Sequence, residues 1–290
     1  MTELDVTLRD GRTLHVYDEG DPNGNVLVEH HGTPGAGLSY PPDVELARER
    51  GLRIIGYDRA GYGGSTPNPG RSVADVVPDI EDVLDHFGIE RYASLGASGG
   101  CPHSFACGAR SERCIAAAAI ASPTPYPSDG LDWLAGMGEQ NVEEFGLALE
   151  GADAVVPYIE REAAEFGKAT PEQIKEVLVT LLPPVDAAVL TGERAEHAKK
   201  MFDRATAAGV AGWRDDDLAF VKPWGFELDE IRVPTLLWQG VQDKMVPAAH
   251  GRWLAGHIPG VEAHISEEDG HLSIAVGRLG EIYEWLARRF

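Results

Sequence analysis

A serine in the first half of the chain stands between glycines at the spacing that exposes a nucleophile. Residues 96–100 read GASGG and fit the pattern G-x-S-x-G, in which the glycines two positions either side of the serine permit a sharp turn. A hydroxyl lifted above a sheet edge by such a turn can attack a carbonyl carbon once a base removes its proton. The pattern predicts that Ser98 is a catalytic nucleophile, and an ordinary glycine-rich strand-to-helix turn is the alternative interpretation.

A serine of ordinary acidity needs a general base, and the base needs an acid to orient it. His271 follows a predicted strand at 261–265, and Asp243 follows another at 235–239. We therefore expect His271 to be the general base and Asp243 the orienting carboxylate. A solvent-exposed loop histidine is the alternative for His271, while Asp58, Asp269 and the acidic run at 215–217 are alternative carboxylates.

A glycine-rich turn after the predicted strand at 26–28 is the candidate for binding a developing negative charge. Residues 31–35 read HGTPG. In such a turn the amide of Thr33 could converge with the amide of Gly99 on the oxygen of a tetrahedral intermediate. Thr33 and Gly99 are therefore the expected oxyanion donors.

Short apolar segments alternate with helical patterns along most of the chain. Apolar runs of this length are typical of strands buried on both faces, and their alternation with helices predicts an α/β fold with a parallel sheet wrapped on both sides. A hairpin is predicted at 6–17. The other predicted strands lie at 26–28, 54–57, 92–95, 115–120 and 235–238, and the helices between them at 42–50, 73–87, 101–110, 248–257 and 272–289.

A segment of about a hundred residues interrupts this alternation. It contains no convincing strand, starts with three prolines at 123, 125 and 127, and ends near 222–225, which read KPWG. We expect a core formed by residues 1–122 and 227–290, with a helical cap at 123–226 whose helices include 142–149, 152–166 and 171–182. We interpret the acidic run at 215–217 as a solvated loop.

The glutamates of the cap allow two interpretations. On amphipathic helices such residues usually face water, and this is the interpretation we favour. In the alternative, a pair of them points into the site and holds a substrate ammonium group. The glutamates concerned are Glu139, Glu143, Glu144, Glu150, Glu160, Glu162 and Glu165.

Taken together, these motifs resemble the α/β-hydrolase superfamily, in the branch that includes proline iminopeptidases and many bacterial esterases. Residues 58–65, DRAGYGGS, also resemble the D-x-x-G-x-G-x-S turn of that family. The resemblance implies a mostly parallel central sheet with helices on both faces, an inserted helical lid, and a triad of Ser98, Asp243 and His271. Thr33 and Gly99 depart from typical proline iminopeptidases, which have a glycine in the oxyanion turn and an aromatic residue directly after the nucleophile.

Charge and composition limit the partners. The 290 residues include 25 Lys+Arg and 47 Asp+Glu, a net charge of −22, so binding to nucleic acid or to an anionic membrane is not expected. Three cysteines without zinc-site spacing predict reduced thiols, and the lack of a long apolar run predicts a cytoplasmic protein.

We therefore expect hydrolysis of a small-molecule carboxylic ester, or less readily an amide, through an acyl-enzyme. The triad and water supply the chemistry, so neither a metal nor an organic cofactor is expected. A proline iminopeptidase-like aminopeptidase is the first alternative, and a non-catalytic ligand-binding protein with the same fold is the second. Hydrolysis of carbon–carbon bonds and perhydrolysis use the same triad and stay open.

Overall fold

An eight-stranded sheet forms the centre of the protein in the computed structural model, which describes residues 2–290. The strands lie in the order β1-β2-β4-β3-β5-β6-β7-β8; β2 is antiparallel to both β1 and β4, and all other neighbours are parallel. The strands are β1 (Thr2–Thr7), β2 (Thr13–Gly20), β3 (Asn25–His30), β4 (Leu52–Tyr57), β5 (Tyr92–Ala97), β6 (Cys114–Ile120), β7 (Thr235–Gly240) and β8 (Glu262–Ser266).

Helices cover both faces of this sheet. Successive side chains of a strand point to opposite faces, so in β3 Val26 and Val28 join one apolar cluster and Leu27 joins another. The first cluster includes residues of α2 (Val76–Phe87), α3 (Cys101–Arg110) and α10 (Ala248–His257). The second includes residues of α1 (Pro41–Arg48) and α11 (His271–Ala287). The prediction of a mostly parallel sheet with helices on both faces is confirmed.

The segment between β6 and β7 is helical, and we call residues 123–226 the cap. No strand lies between these two strands, all of whose connecting residues are among those described. A third apolar cluster, which includes Val155, Ile159 and Trp213, holds the cap helices together. These helices are α4 (Glu139–Glu150), α5 (Ala152–Lys168), α6 (Ile174–Val177), α7 (Pro184–Val189), α8 (Gly192–Thr206) and α9 (Ala211–Phe220).

One predicted cap helix is broken. In place of a helix over 171–182, a 3₁₀ turn at Pro171–Gln173 leads into the single turn of α6. The side chain of Gln140 accounts for the break, because it donates to the Val177 carbonyl at 2.8 Å and accepts from the Thr180 hydroxyl at 2.8 Å. The Val177 carbonyl thus accepts a hydrogen bond from a side chain instead of from the backbone of a continuing helix.

The acidic run at 215–217 is not a solvated loop, and that interpretation is wrong. Asp215, Asp216 and Asp217 lie within α9 and are 2%, 0% and 0% exposed. Charge compensation explains part of this burial: Asp216 lies between two buried arginines of the core, Arg59 and Arg71, and Asp215 pairs with Arg214. Asp217 instead borders the cavity beside Glu144. Among residues 2–290, no helix combines the length and apolar character needed to cross a bilayer.

Candidate active site

Ser98 lies at the junction between β5 and α3. Its φ of +53° is rare for a residue with a side chain, and it marks a strained turn. The flanking glycines permit this turn, because a Cβ at Gly96 would approach the Gly100 carbonyl oxygen to 2.4 Å and one at Gly100 would approach the His30 carbonyl oxygen to 2.0 Å. The segment GASGG thus folds as the sharp turn that its glycine spacing predicts.

His271 and Asp243 form a buried hydrogen-bonded pair. Nδ1 of His271 donates to Oδ2 of Asp243 at 2.7 Å, so in the neutral imidazole Nε2 is the nitrogen that can accept a proton. The other carboxylate oxygen accepts the amides of Met245 and Val246, both at 2.8 Å, so the carboxylate cannot rotate freely. Burial opposes protonation of His271, but the adjacent Asp243 outweighs it, and the pKa of His271 is raised above its usual 6.5.

The helix that begins with His271 is capped by an aspartate of the cap. Oδ2 of Asp186 accepts the amide of His271 at 2.7 Å, and Oδ1 accepts the amides of Leu272 and Ser273 at 2.9 and 2.8 Å. These are free donors at a helix amino terminus, where a negative charge is stabilised. Asp186, which sequence reasoning did not identify, therefore fixes the position of His271.

Ser98 and His271 line one cavity of about 400 Å³ between the core and the cap. Both residues belong to the described part of the chain, and no hydrogen bond joins them; catalytic pairs often close only when substrate binds. The structure thus places Ser98 and His271 on the lining of one cavity, with Asp243 hydrogen-bonded to His271.

The two expected oxyanion donors lie against each other on the wall of the same cavity. A Cβ added at Gly99 would lie 2.4 Å from Oγ1 of Thr33. Thr33 in turn donates its hydroxyl to Asp216 of α9 at 2.6 Å. The turn at 31–35 is thereby in contact with both the serine turn and the cap.

Three carboxyl groups of the cap also line the cavity: Glu144, Glu162 and Asp217. Burial raises the pKa of Glu144 to about 7, although a hydrogen bond from Trp213 at 2.5 Å opposes the shift. Burial and the neighbouring Glu144 raise the pKa of Asp217 well above its usual value. Glu144 and Asp217 therefore hold protons at pH values where exposed carboxyls have already lost theirs.

The expectation that the cap glutamates face water holds only in part, because Glu144 and Glu162 are buried at the cavity. Sequence reasoning did not identify Asp217 as a cavity residue, because the acidic run at 215–217 was interpreted as a solvated loop. The spacing of Trp213, Asp216, Asp217 and Phe220 placed all four on one helix face, which was a usable signal. The remaining glutamates of the set are exposed: Glu139, Glu143, Glu150, Glu160 and Glu165.

No group of three or more His, Cys, Asp or Glu side chains within residues 2–290 has an arrangement that could hold a metal ion. The three cysteines are free and buried, and burial raises the pKa of Cys107 to about 12. Such thiols are poor nucleophiles. The polar side chains that line the cavity include Ser98, His271, His31 and the three cap carboxyls.

Comparison with known proteins connects this arrangement to enzymes. The family model for the alpha/beta hydrolase fold matches residues 25–172, just over half of the chain. A 2-hydroxy-6-oxononadienedioate/2-hydroxy-6-oxononatrienedioate hydrolase of Cupriavidus pinatubonensis is 26% identical over 92% of this chain and 88% of that protein. A probable proline iminopeptidase of Leptolyngbya boryana is 35% identical, but the match spans only 32% of this chain and 30% of that protein. The bromoperoxidase of Bacillus anthracis has a similar fold, with a TM-score of 0.71 at 21% identity over 99% of both chains.

Proposed function

Because the chain belongs to the family of proteins with the alpha/beta hydrolase fold, we propose that it is a serine hydrolase that cleaves a small carboxylic ester, and less readily an amide. The observation that carries the proposal is the buried His271–Asp243 pair, which shares a cavity with a serine held in a strained turn. A strained nucleophile that lines the same cavity as an oriented base supports acyl transfer.

The reaction proceeds in two halves. Nε2 of His271 takes the hydroxyl proton as Oγ of Ser98 bonds to the carbonyl carbon, and the carbonyl electrons move to oxygen. The amides of Thr33 and Gly99 stabilise that oxyanion. Collapse of the intermediate breaks the bond to the leaving group, which receives the proton from His271. Water, activated by the same imidazole, then releases the acid and restores Ser98.

A fluorophosphonate probe tests the nucleophile without knowledge of the natural substrate. We expect one covalent label, located on Ser98 by peptide mapping and absent from the Ser98→Ala variant. Ser104→Ala is the matched control, because Ser104 is a buried serine six residues further on whose hydroxyl donates to the Ala118 carbonyl. Labelling that survives Ser98→Ala rejects the assignment. Absence of both labelling and ester hydrolysis in the wild type supports a non-catalytic binding protein instead.

The buried cap carboxyls favour a second candidate, an aminopeptidase-like activity on substrates with a free amine. Both oxygens of Asp217 are buried, and among residues 2–290 only the neighbouring Glu144 carboxyl can share a proton with them. A substrate ammonium would supply donors and form charge-assisted bonds. The partial similarity to a proline iminopeptidase points the same way.

Matched substrates separate the two candidates. Aminoacyl and N-acetyl-aminoacyl compounds with the same leaving group are compared by kcat/KM. An amine subsite predicts about a hundredfold preference for the free amine, or about 2.7 kcal/mol of transition-state stabilisation. Glu144→Gln and Asp217→Asn should remove that preference, whereas the exposed control Glu143→Gln should keep it. If there is no preference for the free amine, only the ester hydrolase remains.

A further inference from the structure

We propose that Asp216, on cap helix α9, is a positioning residue that holds the oxyanion turn in its reactive conformation through the hydroxyl of Thr33. The inference rests on the proposed function, since it assigns a role in stabilising the oxyanion formed at Ser98. It assigns a role to a residue outside the triad, so that the cap positions a catalytic group as well as enclosing the cavity.

Asp216 is fully buried and surrounded by donors. Oδ2 accepts the Thr33 hydroxyl at 2.6 Å and the Tyr62 hydroxyl at 2.8 Å. Oδ1 accepts Nε of Arg59 at 3.0 Å and Nη2 of Arg71 at 2.6 Å, and Nη2 of Arg59 also donates to Oδ2. A carboxylate bound by two guanidinium groups has a fixed orientation. The Thr33 hydroxyl is therefore directed at a rigid acceptor.

The same cluster holds the two residues before Thr33. Nη1 of Arg59 donates to the His31 carbonyl at 2.8 Å, and Nη2 donates to the Gly32 carbonyl at 3.4 Å. The backbone amide of Arg59 also donates to Nε2 of His31 at 3.0 Å. Three successive residues of the turn are thus fixed by one arginine–aspartate pair. Rotation of the turn would break several buried hydrogen bonds, which is costly.

The two departures from the iminopeptidase pattern are one structural feature. At Gly99 a Cβ would lie 2.4 Å from Oγ1 and 2.8 Å from Cβ of Thr33, and 3.0 Å from Cζ of Phe220 on α9. The space beside the nucleophile is therefore filled by the Thr33 side chain and the cap, so a side chain at position 99 has no room. Thr33 is in place to connect the serine turn to Asp216.

A purely structural role would also account for a buried ion cluster, so the test must separate positioning from stability. Thr33→Val replaces the hydroxyl with a methyl group of similar size. Thr33→Ser keeps the hydroxyl and removes the methyl group. Tyr62→Phe is the matched control, because it removes another neutral donor from the same Oδ2 atom. Three quantities are measured: kcat and KM for p-nitrophenyl butyrate, the rate constant for fluorophosphonate labelling of Ser98, and Tm.

We expect Thr33→Val to lower kcat and the labelling rate by about ten- to a hundredfold with KM nearly unchanged, since loss of a single oxyanion donor costs about 10²–10³ in kcat. Thr33→Ser should recover most of the activity that Thr33→Val loses, and Tyr62→Phe should stay within about threefold of the wild type even if its Tm falls. Thr33→Ala provides the same comparison if Thr33→Val does not fold.

Two results overturn the proposal: full activity of Thr33→Val, or an equal loss of kcat in Tyr62→Phe. Both are distinct from failure of the proposed function, which appears as labelling or turnover that persists in Ser98→Ala.

Discussion

At the scale of single residues, each candidate catalytic group is fixed by a neighbour that takes no part in the chemistry. Asp243 uses one carboxylate oxygen for two backbone amides and the other for His271. Gln239 adds a donor to the second oxygen at 3.1 Å. The carboxylate is therefore a rigid acceptor that selects the imidazole tautomer with its proton on Nδ1.

Asp243→Asn tests this role. The asparagine carbonyl can still accept the amides of Met245 and Val246, so the fold should be retained. Its NH₂ group would face His271 and favour the tautomer with Nδ1 unprotonated, so we expect kcat to fall by about 10⁴-fold, as the same change does in serine proteases. Steady-state kinetics and Tm are the measurements, and Asp269→Asn is the control. Near-normal turnover of Asp243→Asn would mean that another carboxylate orients His271.

The close contact between Gly99 and Thr33 predicts a coupled pair. Gly99→Ala should destabilise the protein by about 1–3 kcal/mol through overpacking and should reduce turnover. Adding Thr33→Gly removes the atoms that clash, so the double variant should be more stable than the sum of the single changes by about 0.5–3 kcal/mol. Urea unfolding of the four proteins measures the coupling. Strict additivity would show that the two residues do not share this space.

At the scale of elements, two short cap helices hold the two halves of the site. α9 contacts the oxyanion turn through Asp216, and α7 caps the amino terminus of α11 through Asp186. Both aspartates are fully buried. The cap therefore contributes to the position of the reacting groups as well as to the walls of the cavity.

Asp186→Ala leaves three amides of α11 without an acceptor. We expect a loss of about 2 kcal/mol in the free energy of unfolding, at the upper end for helix caps, because the site is buried. We also expect kcat to fall, since His271 is the first residue of that helix. Asp153→Ala, at the exposed first turn of α5, is the control and should change stability by less than about 0.5 kcal/mol. Equal effects in the two variants would contradict the capping role.

The sequence predicts elements well where local pattern decides, and poorly where distant partners decide. The apolar runs in β3 to β7 and the helices packed on them follow from periodicity alone. The burial of Asp216 depends on Arg59 and Arg71, more than a hundred residues away in the chain. Local composition could not reveal that compensation, and for this reason the acidic run was misread as a loop.

At the scale of the whole molecule, buried titratable groups act on stability in opposite directions. Burial lowers the pKa of His30 to about 3 and that of His250 to about 4, so the folded state stays neutral where the unfolded chain takes up protons below 6.5. Burial raises the pKa of Glu29 and Glu144 to about 7, so the folded state holds protons that the unfolded chain loses above 4.5. The histidines therefore lower the stability of the folded state as pH falls below 6.5. The glutamates lower it as pH rises from 4.5 to about 7.

These opposing shifts offset each other only in part between about pH 5 and 7, because burial also lowers the pKa of His31 and His103. We therefore predict a stability that falls steeply below about pH 4.5. Below that value the glutamates are protonated in both states and no longer compensate, while each buried neutral histidine costs about 1.4 kcal/mol per pH unit down to its folded pKa. Urea unfolding at a series of pH values measures the curve. The prediction fails if the free energy of unfolding stays constant or increases as pH is lowered below 4.5.

The contact between Asp186 and the start of α11 also bears on how the protein is made. The aspartate and its first donor are 85 residues apart in the chain, a distance that a ribosome covers in about 4–17 s at 5–20 residues per second. During that interval the serine turn and most of the cap are already synthesised, but the Asp186 carboxylate has no helix to cap and Ser98 has no base. Under the proposed function, the nascent chain therefore passes through synthesis without a competent nucleophile, and hydrolytic activity begins only when α11 docks.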